Sequence, residues 1–280
     1  MSDTVPRGSA ALTLRARRPA YSVMQECLRL QAAAPGLTRR QRLLGRSPLR
    51  PDAVSWYKGA LGEIEVARVL SDLGPDWTVL HSVPVGSGAS DIDHVLIGPT
   101  GVFTINTKNH AEAKVWVGGG TIMVNGHRTS YARASVFEAQ RASRLVSAAA
   151  GAEVAVVPVI VVVGAASLRF GDKTPTVRVV TASQLRRWLF SLPRMHSEEA
   201  LAYLTLVAEE RATWHTQALV LTDTLRHEHR FERLRRDIDD AARRRRQWRV
   251  GTALGAVAAS GGVLLAVLAG VASAVLASIG

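Results

Sequence analysis

A mixed α/β fold, a central sheet flanked by helices and followed by one C-terminal transmembrane helix, is what the sequence predicts, and three observations predict it. Segments of helical and of strand period interleave in the order helix, hairpin-containing sheet, helix, strand, strand, helix. Val154 to Val163 is an almost unbroken apolar run, the pattern of a strand covered on both faces. Residues 251–280 hold no charged side chain, and a helix needs only about 20 residues to cross a hydrocarbon core.

Taken in order, residues 1–50 read as a basic arm without fixed structure, carrying ten arginines against Asp3 and Glu26. Within the arm, Tyr21 to Ala34 has the spacing of a short helix stopped by Pro35-Gly36. From Val54 to Leu73 the apolar positions Trp56, Leu61, Ile64, Val69 and Leu70 recur at helical spacing, and Gly74-Pro75 ends that helix. Trp77 to Val85 reads as a strand. Asp91–Ile97 and Val102–Lys108 are strand-like runs joined by Gly98-Pro99-Thr100-Gly101, which predicts a hairpin. Lys114–Val117 and Thr121–Val124 predict a second, smaller one. Ser130 to Ala150 is helical, Val154–Val163 and Val177–Val180 are strands, and Thr181 or Ser183 caps a helix to about Leu192. Ser197 caps another, through Leu201, Leu204 and Val207 to about Trp214. Asp223 to Trp248 alternates acids with bases like a solvated stalk helix, with Leu225, Phe231, Leu234 and Ile238 as a narrow apolar seam.

The net charge of +12 and pI near 11.0 make polyanions the first partners to consider, nucleic acid and an anionic membrane surface alike. Cys27 is alone, which excludes an intrachain disulfide, and no CxxC pairing is present for a zinc site. Met1 to Ala20 is broken by Arg7, Arg15, Arg17 and Arg18 and does not read as a secretory signal. Arg243–Arg246 and Arg249 precede the uncharged run, with Trp248 at the expected interface. The positive-inside rule then predicts a single-pass membrane protein with its folded part in the cytoplasm. Gly251 and Gly255 form a GxxxG that would permit a homodimer of such helices.

Chemistry gathers on the hairpin. Asp91 and Asp93 are two apart on one strand and share a face, and Asn106 and Lys108 do the same on the next. A short turn brings Asp93 near that pair. Glu63, on the preceding helix, follows Gly62, whose missing side chain would let the helix sit close to the sheet. Carboxylate and carbonyl oxygens suit Mg²⁺, and a nearby lysine can orient water or steady charge growing on a phosphate.

These residues resemble a known family. Gly59–Glu63, Asp91–Pro99 and Gly101–Asn109 are similar, block by block and in order, to the nuclease-related domain (NERD) of the PD-(D/E)xK nuclease superfamily. A fourth block, Phe137-Glu138-Ala139-Gln140-Arg141, is similar to its glutamine-bearing helix. The resemblance covers about Val54 to Leu192 and implies a restriction-endonuclease-like sheet. It implies that Glu63, Asp93, Lys108 and Gln140 act in catalysis, and that Asp93, Asn106 and Thr107 hold Mg²⁺, with Mn²⁺ as substitute. Asn106 departs from the pattern, which has an acid there. An amide withdraws a full charge, worth on the order of several kcal/mol at short range and an effective dielectric near 20. The resemblance therefore implies a Mg²⁺-dependent nuclease with a weakened metal site, or alternatively a nucleic-acid-binding or regulatory module that no longer cuts. The expected organisation is an arm (1–50), the nuclease-fold domain (54–192), a helix extending it (193–216), a charged stalk (217–249) and the transmembrane helix (251–279).

Overall fold

The structure, a computed structural model, describes residues 14–33, 36–86, 90–215 and 224–279, without the side chains of 224 and 253–279. The chain divides into two units, Met1–Leu30 with Asp52–Glu228, and Gln31–Pro51 with His229–Gly280.

In the first unit, β1 (Thr78–Pro84), β2 (Asp91–Gly98) and β3 (Gly101–Asn109) form an antiparallel meander whose middle residues are buried on both faces. Pro99-Thr100 is its two-residue turn, closed by the pair Gly98↔Gly101. The chain then leaves for β4 (Lys114–Gly118), β5 (Thr121–Val124), β6 (His127–Thr129) and helix α4 (Tyr131–Ala150). It returns as β7 (Val156–Val163), parallel to β3. After β8 (Ser167–Phe170), β9 (Arg178–Thr181) adds parallel to β7. The central sheet has the order β1-β2-β3-β7-β9, and a second sheet has the order β6-β5-β4-β8.

Helix α3 (Val54–Ser71) lies on one face of the central sheet and packs Val66 and Leu70 with Leu96, Phe103, Ile105 and Val159. Leu185 and Leu189 of α5 (Ala182–Ser191) complete that layer. Ala142 and Val146 of α4 cover the other face with Val95, Ile97 and Val102, joined by Leu204 and Ala208 of α6 (Glu198–Glu209). Trp214, in the short α7 (Arg211–Trp214), closes this side and donates its indole N–H to the Ala208 carbonyl at 2.8 Å.

The expected arm is partly ordered. Helix α1 (Tyr21–Ala32) buries Tyr21, Met24, Cys27 and Leu28, and the Tyr21 N–H donates to Ser82 Oγ at 3.0 Å. The arginines around them masked this apolar set. Within the second unit, α2 (Arg39–Leu43) opens on a capping box between Thr38 and Gln41. α8 (Thr224–Ile279) buries Phe231, Leu234 and Ala241.

Among the described residues, no helix is long and apolar enough to cross a membrane. That finding corrects the expected transmembrane helix and the single-pass localisation with a cytoplasmic domain. As far as Thr252, α8 is dense in arginine, glutamate and aspartate; the run on which the expectation rested falls on side chains outside the described residues. Gly251 has open space around it, and Gly255, the other half of the expected dimer contact, also lies outside them.

Candidate functional site

The site begins where the β2–β3 ladder opens. The last paired residues are His94 and Ile105. One step further, the Asp93 carboxylate turns into the gap and Oδ2 accepts from the Thr107 N–H at 2.6 Å. Strand alternation puts Asn106 and Lys108 on the α4 side of β3, and Thr107 on the α3 side. Asp93, Asn106 and Lys108 thus share one side, as the hairpin register predicts. The Lys108 ammonium lies 5.1 Å from the centre of the Tyr131 ring, and no ion pair closes between it and Asp93. His110 stacks on the same ring, with centroids 5.6 Å apart.

Glu63 reaches the site from α3, and Gly62 explains how. A Cβ at Gly62 would stand 2.9 Å from Asn109 Cβ and 3.2 Å from Thr107 Cγ2, so only a glycine lets the helix approach β3 this closely. Asn109 ties the approach by donating to the Lys58 carbonyl at 2.8 Å. Glu63 is 5% exposed and accepts from the Ala20 backbone N–H. Asp91 is half-buried and accepts from Ser22. The segment ahead of α3 therefore walls the site, which its basic composition did not reveal.

Glu138 is the residue that sequence reasoning missed. The Asn106 amide donates to Glu138 Oε2 at 3.3 Å, whereas Gln140, the expected contributor from this helix, is exposed. Residues two apart on a helix are about 200° apart, so the two cannot face the sheet together. The signal was available: Ala132, Ser135, Ala139, Ala142 and Val146 form the buried stripe of α4, and 138 falls on its margin.

Burial pushes the Asp93 carboxyl up to about 6, against the pull of Lys108 and the Thr107 N–H. Burial also pushes Glu138 up to about 8, with the Asp93 charge adding to the rise. Glu63 stands well above the ordinary carboxylate range for the same two reasons, burial first and then Asp93. Converging acids that repel one another are a common mark of a site that takes a cation or proton.

Among the described residues, no three His, Cys, Asp or Glu side chains stand together as a metal cluster. The donor set is mixed: Asp93, the Asn106 amide and Glu138. Asn106 Oδ1 and Glu138 Oε1 are buried and have no hydrogen-bond partner among the described residues. Buried polar atoms are ordinarily paired, so these oxygens fit a hard divalent cation, which takes oxygen ligands alone.

A mixed sheet with a half-opened acidic hairpin and an adjoining lysine is consistent with the PD-(D/E)xK class of nuclease fold. Residues 58–163 match the model of the nuclease-related domain, and these residues are such a domain. An uncharacterized protein of Bacillus anthracis is 47% identical over 58 residues, which is 19% of this chain and 27% of that protein. The match thus spans about a quarter of that relative's length. No solved structure matches the chain.

Proposed function

We propose that the domain is a divalent-metal-dependent phosphodiesterase acting on nucleic acid. The observation that carries this reading is the convergence of Asp93, Asn106 and Lys108 on one side of the opened hairpin, beside a buried Glu63. Asp93, Asn106 and the Thr107 carbonyl would hold Mg²⁺, or Mn²⁺ in its place. Bound there, the ion would polarise the phosphodiester and ease deprotonation of water. Lys108 is close enough to the acids to orient that water or to meet charge developing on the phosphate, and the Tyr131 face keeps its ammonium from collapsing onto Asp93. Glu63, fixed by the Ala20 N–H, is placed to hold a proton or a water next to Asp93.

A second reading, binding without cleavage, draws on Asn106: an amide at this strand position contributes an oxygen and no charge. One experiment separates the two. The full chain is incubated with plasmid and single-stranded DNA in Mg²⁺ or Mn²⁺, beside Lys108→Ala and an EDTA control. The nuclease reading expects metal-dependent cleavage that falls by about two orders of magnitude or more in Lys108→Ala. DNA binding with no cleavage in either metal leaves the second reading.

A further inference from the structure

We propose that Glu138 supplies the carboxylate that position 106 lacks, so that the cation is held between Asp93 on β2, the Asn106 amide oxygen on β3 and Glu138 reaching over from α4. This deepens the nuclease reading and rests on it.

The placement of Glu138 carries the argument. It stands at the margin of the buried stripe of α4, three residues after Ser135 and four before Ala142, both fully buried. Glu138 itself is half-buried, and a carboxylate drawn that far out of water is ordinarily paired. The partner it has is a weak one, a single hydrogen bond from the Asn106 amide at 3.3 Å. A purely structural Asn–Glu pair would satisfy its acceptors. Here Glu138 Oε1 and Asn106 Oδ1 are both left buried and unpaired among the described residues. Two buried acceptor oxygens, on side chains that already touch through their other polar atoms, call for a positive charge. Lys108 attracts Glu138 from a distance but does not bond to either oxygen, its ammonium lying over Tyr131.

The charge count agrees. A strand acid at 106 would give the site two carboxylates with Asp93; Asn106 with Glu138 also gives two, one of them moved from strand to helix. The amide then does two things that an acid could not. Its oxygen remains a neutral ligand, and its N–H₂ holds the incoming carboxylate in register.

The test is calorimetric titration of the full chain with Mn²⁺, in the wild type, Glu138→Gln, the double variant Asn106→Asp/Glu138→Gln, and the exposed acid Glu153→Gln as a charge control. Thermal midpoints run alongside. Glutamine keeps the shape of Glu138, and its amide oxygen can still accept from Asn106, so a merely structural role predicts unchanged Mn²⁺ affinity. The proposal expects Glu138→Gln to lose about tenfold or more in affinity, since even partners behind the ligands cost 10–100-fold. It expects the double variant to recover most of that loss and Glu153→Gln to match the wild type. Wild-type affinity in Glu138→Gln, or no recovery in the double variant, overturns it. Should Glu138→Gln fail to fold, the double variant alone decides, by binding Mn²⁺ or failing to. A wild-type chain that binds no Mn²⁺ overturns the metal-dependent reading as well; one that binds and cuts, with Glu138→Gln its equal, overturns only the role of Glu138.

Discussion

Behind the acids, on the opposite face of β2, two histidines share a single hydrogen bond. His81 Nδ1 and His94 Nδ1 are 2.8 Å apart with their rings edge to face, so one nitrogen carries a proton and the other accepts it. Burial depresses both: His81 falls to about 4, and His94 lies well below the ordinary imidazole range, with His81 adding to its fall. The pair is therefore neutral near pH 7. Because folded pKa values are depressed, the contribution to stability is complete above the unfolded value of about 6.5 and is lost as pH falls toward 4. For His81 this amounts to on the order of 3 kcal/mol. The elevated carboxyls at 63, 93 and 138 have the opposite sign, losing stability as pH rises, so a melting curve would mix the two effects. The clean measurement is an NMR titration of the imidazole signals, which are expected to stay neutral at pH 5. A midpoint near 6.5 for either ring would contradict the buried, bonded pair.

Among the elements, the β2–β3 turn shows most directly how a sheet constrains its neighbours. The Trp77 ring lies against Gly98, where an added Cβ would come within 2.0 Å of Cε3 and 2.3 Å of Cζ3. Trp77 in turn meets Phe103 and Phe190. Gly98→Ala must displace the indole, at a cost of about 1–3 kcal/mol or more. A clear drop in the urea midpoint, with altered tryptophan fluorescence, is the expected result; an unchanged midpoint would mean the ring does not sit there. Such detail explains what could and could not be read from the chain. The meander was legible because Asp91–Ile97 and Val102–Lys108 are strand-like runs on either side of a glycine-bracketed turn, a purely local signal. β6 and β8 were missed because His127–Thr129 and Ser167–Phe170 are too short to show a period, and are strands through their pairing with β5 and β4. Asp93, Asn106 and Lys108 could be brought together by strand register alone. Glu138 could not, since its neighbour is set by the docking of a helix, and a glutamate among helical positions reads first as a solvated face.

At the scale of the whole molecule, the net charge of +12 governs any encounter with a polyanion. Nucleic acid bound through phosphate contacts releases counterions, so affinity must fall steeply with salt: six contacts cost about three orders of magnitude between 50 and 200 mM. A fluorescence-anisotropy titration of labelled DNA across that range is expected to give a logarithmic slope steeper than about −3. A nearly flat slope would remove nucleic acid as the partner. The same whole-molecule view gives the long excursion between β3 and β7 a meaning in time. The hairpin holding Asp93 and Lys108 closes through a two-residue turn, an event of microseconds. The parallel partner of β3 lies beyond residues 110–155, and the floor under α4, begun by β2 and β3, is complete only when that strand has arrived. During synthesis, at about 5–20 residues per second, the two halves of the pocket thus leave the ribosome seconds apart. A half-made chain therefore holds Asp93 and Lys108 without Glu138, and the full set of site residues is present only once α4 has been made.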